Sequence, residues 1–181
     1  IKDFFPSTKE KIIFETLRSQ LTKTESKIIC HLTTLDGGLP QGAPTSPHLA
    51  NLAFYYLDVE LSRIAKENSL NYTRYADDMT FSGNKKMQNL EANISQIIKK
   101  SGYVLSEKKT KCMGKNSQQK VTGLVVNERI LLPRTLRRKI RAIKHAVRLD
   151  GVSNAIAHSN LVNSDSELRG YLALERMLES V

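Results

Sequence analysis

Leu70-Asn71-Tyr72-Thr73-Arg74-Tyr75-Ala76-Asp77-Asp78-Met79-Thr80-Phe81-Ser82-Gly83 reads as a strand that runs into two adjacent carboxylates and out into a second strand. Leu70 to Tyr75 and Met79 to Ser82 have the composition of an antiparallel hairpin, which puts Asp77 and Asp78 at its tip. Two neighbouring acids repel each other, and a fold keeps them together most readily when divalent cations neutralise the pair. Oxygen donors favour Mg²⁺, whose main use at paired carboxylates involves phosphates. A bare Asp-Asp pair is also a common solvated turn, so its surroundings decide the reading.

Upstream of the hairpin, Leu49, Leu52, Ala53, Tyr56, Leu57, Leu61 and Ile64 recur at three and four residues. They predict a helix with one buried stripe running to about Lys66, with Ser46 as N-cap and Pro47 at the first helical position. Ser7-Thr8-Lys9-Glu10 and Thr22-Lys23-Thr24-Glu25 both spell capping boxes. The first predicts a helix carrying Ile12, Ile13, Leu17 and Leu21, the second a shorter one carrying Ile28, Ile29 and Leu32, ended by Asp36-Gly37-Gly38. Ile1 to Phe5 reads as the end of a strand.

Downstream, Met87, Leu90, Ile94, Ile97 and Ile98 predict an amphipathic helix stopped by Gly102, then a short strand near Tyr103 to Leu105. Gln119 to Val126 and Ile130 to Leu132 predict a second hairpin turning at Asn127-Glu128. After Pro133 the pattern is wholly helical. A basic helix puts Leu136, Ile140, Ile143 and Val147 inward, and Ser164-Asp165-Ser166-Glu167 caps a last helix through Leu172, Leu174 and Leu178. The change of period sets a boundary between an α+β domain, 1–132, and a helical domain, 133–181.

The 181 residues are 40% apolar, enough for a core, and no run of 18 apolar residues offers a membrane span. A chain opening on Ile1 in place of Met implies a natural start upstream. Cys30 and Cys112 fit no metal or redox spacing and suit a reducing cytoplasm as buried or half-buried packing residues. His31, His48, His145 and His158 form no ligand pair, which argues against zinc. The net charge of +10 is unevenly placed: Arg134, Arg137, Arg138, Lys139, Arg141, Lys144 and Arg148 fall within fifteen residues that hold no acid. Such density suits a polyanion, a solvated helix face or an anionic membrane surface.

Gln41-Gly42-Ala43-Pro44-Thr45-Ser46-Pro47, then Leu49-Ala50-Asn51-Leu52, then Tyr75-Ala76-Asp77-Asp78, resembles the palm of bacterial reverse transcriptases. The Ala43-Pro44-Thr45 spelling resembles the retron type, and Val121-Thr122-Gly123 stands where retron enzymes carry a Val-Thr-Gly signature. The resemblance implies an α+β right-hand polymerase fold, an antiparallel palm sheet with packed helices followed by a helical thumb. It implies RNA-directed DNA synthesis with two Mg²⁺ ions, which sit about 3.5–4 Å apart in such sites. It brings an RNA template and primer, deoxynucleoside triphosphates, a DNA product and a cognate structured noncoding RNA as partners, and a bacterial cytoplasmic setting without a membrane. Retron enzymes commonly prime from a 2′-hydroxyl of that RNA and take part in phage defence.

The same resemblance assigns roles by position. Asp77 and Asp78 are metal ligands, with the Ile1 carbonyl a further one; another metal-binding aspartate belongs one residue before Ile1, outside this sequence, so the fragment alone is expected to be inactive. Asp3 and Phe4 lie beside the triphosphate, and Phe5 is the steric gate whose ring excludes a 2′-hydroxyl. Alternation in a strand puts only one of the two phenylalanine rings toward the site. Gln41 and Gly42 touch the incoming nucleotide and templating base. Lys109, within Leu105-Ser106-Glu107-Lys108-Lys109-Thr110, approaches the leaving pyrophosphate. Tyr75 contacts the primer end, Val121, Thr122 and Gly123 belong to the primer grip, and Arg134, Arg137, Arg138 and Arg141 hold nucleic acid. Group II intron and abortive-infection enzymes remain alternatives, as does a palm-like RNA-binding module without catalysis, which would hold A-form duplex through phosphates and shape.

Overall fold

In the computed structural model, Asn71–Tyr75 (β1) and Asp78–Ser82 (β2) pair antiparallel, Tyr75 opposite Asp78, which leaves Ala76 and Asp77 as the turn. The structure describes residues 1–84, 90–158 and 161–179. It is an α+β fold that divides into two compact units, Ile1–Lys111 and Cys112–Val181. The hairpin 120–125 therefore lies in the second unit, together with the helices that follow it.

The first unit packs the hairpin on helices Phe4–Ser7 (α1), Glu10–Leu17 (α2), Lys23–Thr33 (α3), Ser46–Glu67 (α4) and Leu90–Lys100 (α5) around one core. Strand alternation sends Tyr72 and Arg74 of β1 toward α4, while Asn71, Thr73 and Tyr75 face outward. Phe4, Phe54 and Tyr103 form an aromatic cluster with centroids 5.1–5.9 Å apart. Burial raises the Tyr103 phenol, whose hydroxyl meets Thr8 Oγ1 at 3.2 Å.

Several local expectations change in three dimensions. Ile1–Asp3 makes no strand: Lys2 N–H donates to the Val104 carbonyl at 2.8 Å, and Asp3, at φ 46°, turns the chain into α1. No strand forms near Tyr103 either: among the described residues, Val104 pairs along the backbone through that one bond to Lys2. The Ser7 capping box is absent, since the Ser7 hydroxyl donates back to the Lys2 carbonyl and Thr8 Oγ1 to the Phe4 carbonyl. Helix α2 starts only at Glu10 and stops at Leu17, short of Leu21. The Thr22 box does form, with Thr22 and Glu25 exchanging both bonds.

Helix α4 begins at Ser46 with Thr45 as N-cap, one residue early, because the Ser46 hydroxyl bonds the Pro40 carbonyl (2.7 Å) and leaves the helix end uncapped by it. Its buried face is Ala50, Phe54, Leu57, Leu61, Ile64 and Ala65, whereas Leu52 and Tyr56 point outward. Ile28 and Leu32 of α3 are likewise exposed; α3 buries Ser26 and Cys30 in their place. Helix α5 follows the sequence pattern, buries Leu90, Ile94 and Ile98 and closes on Gly102 at φ 86°; Met87 lies outside the described residues.

In the second unit Lys120–Val121 (β3) and Leu124–Val125 (β4) pair around Thr122-Gly123. Thr122 at φ 46° and Gly123 at φ 90° make the two-residue turn with both central residues left-handed, which matches strand twist. The expected turn at Asn127-Glu128 is also made, closed by the antiparallel bridge of Val125 and Leu131 with its paired bonds, but the Gln119 to Val126 stretch is not one strand because it first folds back at Thr122-Gly123. Arg134–His158 (α6) is two helical stretches joined at Gly151, where φ 78° and ψ 166° break the helix. Ile140 and Ile143 are buried and Leu136 and Val147 half-buried, as the spacing predicts. Asp165–Glu179 (α7) packs on α6 through Leu168 and Leu172. Ser164 Oγ accepts from Glu167 N–H, but Glu167 turns its own carboxylate to the Asn163 N–H, and that bond lowers its pKa.

Cys30 is buried, which raises its thiol pKa, whereas Cys112 is exposed and is not a packing residue. Among the described residues, no helix is long and apolar enough to cross a membrane.

Candidate active site

The Ala76-Asp77 turn projects to one side of the first unit, where a cleft of about 440 Å³ opens. Four separate stretches line it: Ile1, Lys2, Asp3, Phe4 and Phe5 from the chain start, Gln41 from the loop before α4, Asp77 from the hairpin, and Ser106 and Lys109 beyond α5. The cleft is built by short-range ties between these stretches. The Ile1 backbone nitrogen donates to the Asp77 carbonyl at 2.7 Å, and Lys2 N–H to the Val104 carbonyl at 2.8 Å. Ser106 accepts from Lys109 N–H and Thr110 N–H, both at 2.9 Å, in a tight turn that holds Lys109 beside the cleft.

Of the residues singled out in the sequence, Ile1, Asp3, Phe4, Phe5, Gln41, Asp77 and Lys109 share this cleft. Phe4 also belongs to the core, with its ring against Phe54 and Tyr103, while Phe5 is half-buried. Asp78, the first residue of β2, is exposed and lies beside the lining, not in it. Gly42 is exposed at φ 84°, a conformation that favours glycine, and no protein atom would meet a Cβ there. Tyr75 is 74% exposed, next to the carboxylates. Val121, Thr122 and Gly123 form the β3–β4 turn region of the second unit, where Arg134, Arg137, Arg138 and Arg141 are exposed on α6.

Lys2 and Ser106 are lining residues that carry no signature in the sequence. Arg74 does carry one, an arginine at an inward strand position three residues before an acid pair, which the motif reading passes over. Its Nε and Nη2 donate to Asp58 at 2.8 and 2.6 Å, and its Nη1 to Asn51 Oδ1 at 3.0 Å and to the Ala76 carbonyl at 2.9 Å. The guanidinium lies 4.5 Å above the Phe54 ring. Tyr72 donates to the same Asp58 at 2.7 Å. Burial works to lower the Arg74 pKa, but the Asp58 bonds and charge outweigh it and the net shift is upward.

Two adjacent carboxylates with a backbone carbonyl nearby form a hard-oxygen donor set that fits Mg²⁺ in kind. Among the described residues no third His, Cys, Asp or Glu joins them.

Residues 2–126 match the family described as reverse transcriptase (RNA-dependent DNA polymerase). The chain is 38% identical over 166 residues to the retron Ec86 reverse transcriptase of Escherichia coli, covering 87% of this chain and 50% of that protein. It is 32% identical over 200 residues to the retron Mx65 reverse transcriptase of Myxococcus xanthus, covering 98% and 45%, and 32% identical over 182 residues to the retron Mx162 enzyme of the same organism, covering 80% and 38%. The chain thus spans half or less of the length of these curated relatives. Since the match takes in the cleft, the aspartate hairpin and the lysine turn together, the chain belongs to the reverse transcriptase family, and in sequence it is of the retron type.

Proposed function

We propose that this chain is the palm, to residue 132, and the helical thumb, from 133, of an RNA-directed DNA polymerase that copies a structured noncoding RNA and, as a retron enzyme, serves in phage defence in the bacterial cytoplasm. The observation that carries the reading is the gathering of Ile1, Asp3, Phe5, Gln41, Asp77 and Lys109 from distant parts of the chain into one cleft. The family match running to 126, past the end of the first compact unit, supports counting the β3–β4 hairpin with the palm as primer grip.

In this mechanism Asp77, Asp78 and the Ile1 carbonyl would hold Mg²⁺. Bound there, two such ions supply charge stabilisation for the attacking and leaving oxygens of an in-line displacement. The chain's own residues do the rest. Asp3 and Gln41 place the triphosphate and its base in the cleft, with Gly42 leaving room beside the templating base. The Phe5 ring floors the sugar site and leaves no space for a 2′-hydroxyl. Lys109 carries a positive charge and a proton to the departing pyrophosphate. Tyr75 meets the primer end, and the exposed arginines of α6 meet phosphates.

In the full-length protein, Asp77→Asn and Asp78→Asn should each abolish primer extension while leaving the gel shift on template-primer RNA largely intact, because each removes a metal ligand and no phosphate contact. Near-normal extension by both variants would refute the assignment. Loss of RNA binding along with activity would point to a folding defect in place of a catalytic one.

A further inference from the structure

We infer that Arg74 is a positioning residue that holds the carboxylate turn in its metal-binding shape, an inference that rests on the polymerase reading above. Ala76 sits at φ 50°, in the left-handed region that a residue with a Cβ adopts only at a cost. Such strain persists where surrounding contacts over-determine it. One such contact at this turn is the Arg74 Nη1–Ala76 carbonyl bond of 2.9 Å, made across the single residue, Tyr75, that separates them in sequence.

The remaining donors of Arg74 fix the guanidinium itself. Asn51, Phe54 and Asp58 lie three and four residues apart on one face of α4, and all three engage it. Its Nε, Nη1 and Nη2 all donate, and its side chain is only 8% exposed. The fork is therefore seated on a rigid helix and reaches over to a single carbonyl on the turn. The same helix is tied at its N-terminus to the Gln41 loop by the Ser46–Pro40 bond. Arg74 thus references the metal-side turn to the helix that carries the nucleotide-side loop.

Lysine keeps the charge opposite Asp58, but its single nitrogen cannot serve that carboxylate in two places and the Ala76 carbonyl as well. The test uses the full-length protein and two readouts, Mn²⁺ affinity by electron paramagnetic resonance and the Mg²⁺ concentration for half-maximal primer extension. Arg74→Lys should weaken both by about tenfold, the scale of the left-handed penalty it exposes. Adding Ala76→Gly to Arg74→Lys should recover most of that loss, since glycine takes up positive φ freely; a purely structural arginine would not be rescued this way. Asn51→Ala, at an exposed position, should weaken both readouts by about threefold, and it carries the test if circular dichroism shows Arg74→Lys unfolded. Unchanged Mn²⁺ affinity in the folded variants, or no recovery with glycine, overturns the inference while normal extension leaves the polymerase reading standing. Conversely, Arg74-dependent Mn²⁺ binding with no extension by the wild type keeps the positioning role and removes the polymerase reading.

Discussion

Phe4 and Phe5 are neighbours with opposite surroundings. The Phe4 ring is 5% exposed and packs edge-on against Phe54, with Arg74 5.8 Å above it; Phe5 is half-buried at the cleft. Phe4→Ala should therefore cost about 3–5 kcal/mol of stability, the range for emptying an aromatic core site, measured by urea unfolding of the full-length protein. Phe5→Ala should cost much less stability and change chemistry: the proposed gate predicts incorporation of ribonucleotides in a competition assay, with deoxynucleotide use retained. Unchanged sugar selectivity would mean that the ring only packs. That one phenylalanine is in and one faces the site is legible from their adjacency. The cause is not, because the pair sits in a short helix after a left-handed Asp3 and not in a strand.

Among the elements, the β3–β4 turn gives a clean test of backbone conformation. Gly123 stands at φ 90° in open space, so the methyl group of Gly123→Ala meets no clash, only the conformational penalty, about 1–2 kcal/mol. Faster proteolytic cleavage near this turn and a lowered unfolding midpoint should report it. The aspartate hairpin, α5 and the inward face of α6 are readable because their apolar residues have one partner surface and keep its period. Helix α4 is harder. Apolar residues surround it, so period alone does not say which side is covered, and the polar Asn51, Asp58 and Arg74 cluster decides it by claiming the face that meets β1. Thr122-Gly123 stands out in the sequence for its family signature, and glycine at the second position is the quieter signal of the turn it makes. Ser7 misleads for a local reason, since its hydroxyl finds the Lys2 carbonyl before any helix end. Within the site, side chains with sequence signatures are found, whereas Lys2 and Ser106 meet the cleft only in the folded chain, and Arg74, near the turn in sequence, finds its Asn51 and Asp58 partners only there.

For the molecule as a whole, the excess of 28 basic over 18 acidic residues predicts binding that falls steeply with salt. Neutralising Arg137, Arg138 and Arg141 together should weaken template-primer binding and flatten its log-log salt dependence by up to about 0.9 per lost contact on B-DNA, or roughly 0.7 on single strands. Because these three exposed residues spread around α6, a loss equivalent to two contacts is expected in a filter-binding titration, and an unchanged slope would make the helix face merely solvated. The contact between Tyr103 and Thr8 bears on a different event, the making of the chain. These partners are 95 positions apart, and the aromatic cluster of Phe4 and Phe54 closes only when Tyr103 arrives. At roughly 5–20 residues per second on the ribosome, the stretch between them takes roughly 5–20 seconds to synthesise. Until then the emerging segment carries Phe4, Ile13 and Phe54 without their lid, and it is during this window that chaperones and proteases have their chance at it.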